Sequence, residues 1–488
     1  MVKNVNDSAN LSPSTPIANL PIVVDLDQTL ILVDSLHEQA AFGIFNKPLS
    51  VLRATPHLFN NRASLKSALS REIDFCCATL PLREDLLQWL RNQAAEGREI
   101  HLCSAANQTL VDAIAKRVGI FTSAVGSGSA NLKEEAKARH LAATFPEGFI
   151  YVGDHQCDLA IWKVARGIVL AGAAAGVAQA ARGLGKPIEA EFHNARLTLK
   201  DILKAFRIHH WSKNTLIFVP LLLGHAWADV TSIVQTLLGL ACLLMVSSAT
   251  YLLNDIADLD ADRRHWSKRD RALASGRLAV ASGFFLAGIL LFIGILGAVL
   301  LSAEFALVLG AYLALTLAYS WRLKSVPLLD TLVIGILFTA RLIMGIALLG
   351  HNYSEWLLTF SMFFFFSLAL AKRHTEVIRS GNTESHALAR RGYRVEDGPL
   401  TLVLGVSAAV ASLLIMVLFI VEEALKRVAY ADPKALWGIP VVLSIWVGRI
   451  WLLAHRGEMS DDPVSFALRD KTSLLLGIMV AVLFVIAL

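Results

Sequence analysis

The chain has 488 residues, 55% of them hydrophobic and only 17% charged, with a net charge of +5. Soluble domains carry about 25% charged residues, so a wholly water-soluble protein is excluded, and the length calls for more than one domain. The five cysteines (Cys76, Cys77, Cys103, Cys157, Cys242) have neither a disulfide framework nor zinc-ligand spacing and read as reduced thiols; no nucleic-acid partner is expected.

Residues 1–20 form a polar Ser/Asn/Pro-rich stretch without the apolar core of a secretory signal, and read as a disordered tail before a cytoplasmic domain. Next, Pro21-Ile-Val-Val-Asp25-Leu-Asp27-Gln28-Thr29 runs a short apolar strand into two aspartates. Side chains two apart on an extended chain point the same way. Both carboxylates are therefore expected at one site, one as a nucleophile toward phosphorus and the other as general acid/base. A second strand ends at Ser104, the stretch Asn131 to Lys137 brings Lys133, and a third strand from Phe149 leads into Asp154 and Asp158.

That order of motifs resembles the haloacid dehalogenase superfamily over residues 20–175. The resemblance implies Asp25 as the aspartyl-phosphate nucleophile and Asp27 as acid/base. It implies Thr29, Ser104 and Lys133 around the phosphoryl group, and Asp25, Asp154 and Asp158 around Mg2+. Alternating strands and helices predict an α/β Rossmann-like parallel sheet with its site at the strand C-termini. The domain is expected over 21–175, with a small helical cap over about 36–80 that leaves room for a bulky substrate.

Residues 176–211 read as a linker ending in an interfacial amphipathic helix, Leu197 to Trp211, and 212–488 as an all-α transmembrane bundle. Crossing a bilayer takes about 20 apolar residues. Nine spans are expected, at 214–229, 231–253, 279–301, 303–320, 327–349, 355–371, 400–421, 435–454 and 471–488. Lys and Arg concentrate in alternate loops (Arg263 to Arg277, Arg322 and Lys324, Lys372 to Arg394, Arg456 and Arg469). By the positive-inside rule, this predicts a cytoplasmic-membrane protein with its N-terminal domain in the cytoplasm and its C-terminus outside. Homo-oligomerisation is left open.

After the second span comes Asn254-Asp255-Ile-Ala-Asp258-Leu-Asp260-Ala-Asp262. Asp255, Asp258 and Asp262 fall at i, i+3 and i+7 and would share one face of a helix. Hard oxygens at this density suit Mg2+ bridging carboxylates to substrate phosphates, and Lys268, Arg271 and Arg277 follow as phosphate partners. After the fourth span, Tyr319 to Asp330 holds a single carboxylate with Arg322 and Lys324. His210-Trp211-Ser-Lys213-Asn214, Lys372-Arg373-His374 and Asp462 to Asp470 complete the set of polar signatures.

In this order the signatures resemble the UbiA superfamily of intramembrane transferases over about residues 200–488. Within it they resemble the decaprenyl-phosphate phosphoribosyltransferase branch. The resemblance implies transfer of 5-phosphoribose from phosphoribosyl diphosphate to a polyprenyl phosphate in the bilayer, with one Mg2+ site in each domain. Asp255, Asp258 and Asp262 would be catalytic and hold the metal. Asn254, Lys213, Lys268, Arg271, Lys324 and Arg341 would meet phosphates, and Tyr319, Asp330, Lys372 and Arg373 the substrate. Arg341 stands out because a charge in mid-span is costly, and Asp330 is a candidate to stabilise positive charge at the ribose C1. The first domain would then remove the 5-phosphate of the lipid-linked product. Two alternatives remain: an aromatic prenyltransferase using a polyprenyl diphosphate, and a lipid transporter. The transporter fits less well because the carboxylates lie in a loop rather than at the midplane.

Overall fold

The computed structural model describes residues 17–56, 68–69, 71–73, 75, 77–127, 134–350, 354–380, 391–426, 430–459 and 463–488. Lys133, Asp462, part of the expected cap and residues 1–16 of the expected tail lie outside them. The end of that tail is ordered: Ile17–Asn19 is a 3-10 turn and Leu20 is buried. The chain forms two compact units, one running to Ala205 and including Leu253–Phe285, the other comprising Phe206–Leu252 and Leu286–Leu488.

In the first unit, six strands form one parallel sheet: β1 (Ile22–Val24), β2 (Ile100–Asn107), β3 (Ser123–Ser127), β4 (Ile150–Gly153), β5 (Gly167–Ala171) and β6 (Ile188–Phe192). Their order is β3-β2-β1-β4-β5-β6. Val24 pairs with Leu102 on one side and Val152 on the other. All three are fully buried, as expected of strands covered on both faces by helices. Leu26, Leu86, Leu90 and Val111 pack one face, and Tyr151, Phe149, Trp162 and Leu170 the other. The order reverses between β1 and β4, the switch point at which such sheets bind ligands. The sheet outruns the boundary expected at residue 175, because the helix Ala175–Arg182 leads into β6. Helix α1 (Ser35–Asn46) and the helix Pro48–Ala54 follow β1, where the cap was expected.

The second unit is helical. Among the described residues, seven helical stretches are long and apolar enough to cross a membrane: Val230–Ala257, Val280–Leu301, Ala303–Trp321, Leu329–Leu349, Glu355–Ser380, Val395–Lys426 and Pro433–His455, with a shorter apolar helix at Lys471–Ala487. This is a multi-pass membrane protein. The expected count of nine is high by this criterion. The first expected span is broken into a 3-10 helix Ile208–Phe218 and a short α-helix Val219–Leu223 that starts at a proline. Nor is the expected amphipathic helix continuous: it stops at Ala205, and Arg207 takes a left-handed φ of 51°. Leu300 and Leu307 are largely exposed, as suits side chains solvated by lipid. Inside the unit, Leu370, Ile450 and Trp451 pack together. A Cβ at Gly405 would meet the Trp451 ring at 2.1 Å, so only glycine permits this close helix approach.

Candidate active sites

In the first unit the site is built at the C-terminal ends of β1 and β4. Asp25 follows β1 directly, its backbone N–H donating to Val152 O at 3.0 Å. One ligand oxygen each from Asp25, Asp154 and Asp158 lie within 4.8 Å of one another. The Thr29 hydroxyl donates to Asp154 at 2.9 Å, and the backbone N–H groups of Asp154 and His155 both donate to Asp158 at 3.0 Å. Burial, together with the Asp158 and Asp25 charges, pushes Asp154 up to about 8. Burial and Asp25 also raise Asp158. Three hard carboxylates converging under this strain are the donor set a divalent cation such as Mg2+ takes, so the residues present fit the ion.

Among the described residues, the lysine at this site is Lys137. Its Nζ donates to Asp25 Oδ1 at 2.8 Å and to the Tyr151 hydroxyl at 2.7 Å, and Tyr151 donates on to Asp158 at 3.1 Å. Burial alone lowers a lysine, but the Asp25, Cys103 and Asp158 charges outweigh it and hold Lys137 above its ordinary range. Ser104 is buried within β2, which continues past it to Asn107, and accepts from Ala106 N–H at 3.1 Å. Asp27 accepts the Ser35 N–H at 2.8 Å, at the start of α1. Arg83, which no sequence motif singled out, pins this loop through the carbonyls of Thr29 (2.9 Å) and Gln28 (2.8 Å).

The acidic loop after Val230–Ala257 belongs to the same unit. Asn254 and Asp255 lie in the last turn of that helix, which then stops. Asp258 leads a separate short helix, Leu259–Arg264. The three aspartates therefore do not share one continuous helical face. Asp255 and Asp262 are buried and converge on a cation: Arg271 Nη1 lies 2.9 Å from Asp255 Oδ1 and 2.6 Å from Asp262 Oδ2. Burial still raises Asp262 despite this partner. Lys268 stands 3.9 Å from Asp262 and is partly exposed. Arg271, expected as a phosphate partner, is thus the common partner of two buried carboxylates.

In the second unit, Asp330 is fully buried and both its oxygens are engaged, by Arg373 Nε at 2.6 Å and the Tyr393 hydroxyl at 2.7 Å. Tyr393 in turn accepts Leu328 N–H at 2.8 Å, next to the left-handed φ of 66° at Leu328. Arg373 also reaches Glu376 at 2.6 Å and lies beside Tyr319. The cluster joins three expected substrate residues, Tyr319, Asp330 and Arg373, as a closed network. Arg341 is likewise committed: Nε to Asn214 at 2.8 Å, Nη2 to the Tyr312 hydroxyl at 3.1 Å, Nη1 to the Leu337 carbonyl, with the Tyr312 and Phe338 rings stacked against it. Its partners are those of an interhelical tie. Lys213 lies 6.0 Å over the Phe338 ring, Lys324 in a 3-10 turn and Lys372 in the helix Glu355–Ser380.

Residues 217–483 match the UbiA prenyltransferase family. A protein of Sinorhizobium fredii described as uncharacterized protein y4nM is 46% identical over 96% of this chain and 91% of its own length. The nodulation protein NoeC of Azorhizobium caulinodans is 30% identical over 59% of this chain and 94% of its own. The decaprenyl-phosphate phosphoribosyltransferase of Corynebacterium glutamicum is 34% identical over 36% of this chain, a match spanning 54% of its own length.

Proposed function

This chain belongs to the UbiA prenyltransferase family, and from that premise we propose that it transfers 5-phosphoribose from phosphoribosyl diphosphate to a polyprenyl phosphate, with a haloacid dehalogenase-like domain in front. In this reading the bond from the ribose C1 to the diphosphate oxygen breaks, the diphosphate leaves with the electron pair, and a phosphate oxygen of the lipid bonds C1. Asp255, Asp258 and Asp262 would hold Mg2+, which would neutralise charge at the leaving diphosphate. Asn254 and Lys268 orient the donor's phosphates. The Asp330–Arg373–Tyr393 network holds the second motif in shape. One observation carries the transferase reading: buried Asp255 and Asp262 converge on a single cationic nitrogen at the end of a membrane helix. The similarity to a decaprenyl-phosphate phosphoribosyltransferase supports the choice of donor and acceptor.

The first domain then removes the 5-phosphate. The Asp25 carboxylate attacks phosphorus, Asp27 gives its proton to the departing ribose oxygen, and water hydrolyses the aspartyl phosphate. Lys137, with Thr29 and Ser104, stabilises the phosphoryl charge, in the role expected of Lys133. Mg2+ at Asp25, Asp154 and Asp158 adds electrostatic stabilisation when bound.

The test is incubation of the purified protein with Mg2+, ribose-labelled phosphoribosyl diphosphate and a polyprenyl phosphate, beside Asp255→Asn. Label should enter the lipid phase only with the unaltered chain. Lipid-phase product from an allylic diphosphate and a ring acceptor, but none from the sugar donor, would replace this reading with aromatic prenyl transfer.

A further inference from the structure

We infer that Glu38, on α1 of the phosphatase-like domain, is a positioning residue for the diphosphate loop of the transferase, so that the first domain helps to build that loop. The inference rests on the proposed function only in taking Asp255 to Arg271 as a Mg2+–diphosphate loop.

Arg263 follows Asp262 directly in the chain. Its Nη1 and Nη2 donate to the two oxygens of Glu38, at 3.0 and 2.7 Å, across 225 residues of sequence. The side chains are only 6% and 2% exposed, so this is a buried, two-point guanidinium–carboxylate pair, the geometry that fixes orientation best. The third donor, Nε, reaches the Ala274 carbonyl at 2.9 Å. Ala274 stands three residues beyond Arg271, the group that bonds Asp255 and Asp262. Arg263 therefore fastens the helix bearing Asp262 to the returning segment bearing Arg271, and Glu38 is the charge that keeps the fastener in place.

Breaking a buried pair leaves an uncompensated charge that must find water or another partner. For Arg263 the adjacent carboxylate is Asp262, so losing Glu38 would pull on the loop's own ligand. Other parts of the first domain meet the same loop. Thr79 donates to Asp260 at 2.8 Å, Arg277 lies 3.3 Å from Asp201, and the Phe45 and Phe284 rings stack at 6.3 Å. Glu38 supplies the buried charge in this contact, and it lies one turn beyond Ser35, which bonds Asp27.

The probe is magnesium pyrophosphate, the moiety common to sugar and allylic donors, titrated calorimetrically into the full-length protein in detergent. E38Q should weaken its binding about tenfold or more, with the circular-dichroism melt of the protein retained. The charge-swapped double variant E38R/R263E should recover most of the loss, whereas T79V, at the edge of the contact, should bind like the unaltered chain. Wild-type binding by E38Q overturns the inference. So does absence of pyrophosphate binding by the unaltered chain, or a melt lost in E38Q and not restored in the swap. Weakened binding in E38Q from a chain that transfers no phosphoribose would sink the donor assignment and support the positioning role of Glu38.

Discussion

The Asp25–Asp154–Asp158 and Asp255–Asp262 clusters use the same side chain and solve opposite problems. In the first, three carboxylates crowd within 4.8 Å, and Lys137 offsets only part of their charge. In the second, Arg271 Nη1 lies between two carboxylates and, with Lys268 3.9 Å from Asp262, matches their charge. The first is a rigid socket at the ends of packed strands, with its acids under electrostatic strain. The second is a loop whose charge is already satisfied from within, so a Mg2+–diphosphate would have to compete with an arginine. The contrast is between a socket whose acids already converge and a loop in which a bound cation would have to displace Arg271.

Substitutions can break this comparison. The largest effect is expected for Asp25→Asn: it should abolish phosphate release by about three orders of magnitude or more and leave lipid labelling intact. Phosphate release that persists would remove Asp25 as nucleophile. Asp255→Asn should lower phosphoribosyl transfer by about 10²–10³-fold without touching hydrolysis of a soluble phosphate ester by the first domain. Lys137→Met should cost the phosphatase about 10²-fold, measured as kcat with that ester, and the transferase nothing. In the second unit, Arg373→Met should act on stability. It strands the fully buried Asp330 carboxylate at a cost of about 3–5 kcal/mol, read as a lower Tm. The smallest effect belongs to Lys268→Ala, a partly exposed charge 3.9 Å from Asp262, which should raise KM for the donor about threefold with kcat unchanged.

What the sequence made legible was local. Asp25, Thr29, Asp154 and Asp158 follow apolar strand runs within a few residues, so strand pairing alone brings them together. The lysine was harder, because Lys133 and Lys137 stand close together in the same stretch. Lys137 is placed by the helix Glu135–Thr144, which begins after a residue with φ of 50°, while Lys133 lies outside the described residues. Tyr151 gave a faint signal, a lone hydroxyl in an apolar strand. The helix expected to carry Asp255, Asp258 and Asp262 is interrupted at Asp258, a break no glycine or proline announces, yet Asp255 and Asp262 still converge on Arg271. The first expected span failed for the opposite reason: Pro220 stood in plain view, and hydropathy outweighed it. Glu38 with Arg263 and Asp330 with Tyr393 were out of reach, since their partners are distant in sequence and chosen by packing.

The most direct test of the account uses phosphoribosyl diphosphate carrying tritium in the ribose and radiophosphorus in the 5-phosphate. The unaltered chain should give a lipid product with tritium alone and release the radiophosphorus as inorganic phosphate, whereas Asp25→Asn should give a lipid carrying both labels. A tritium-free lipid phase from a folded preparation would contradict the transfer, and a doubly labelled lipid from the unaltered chain would contradict the coupled dephosphorylation.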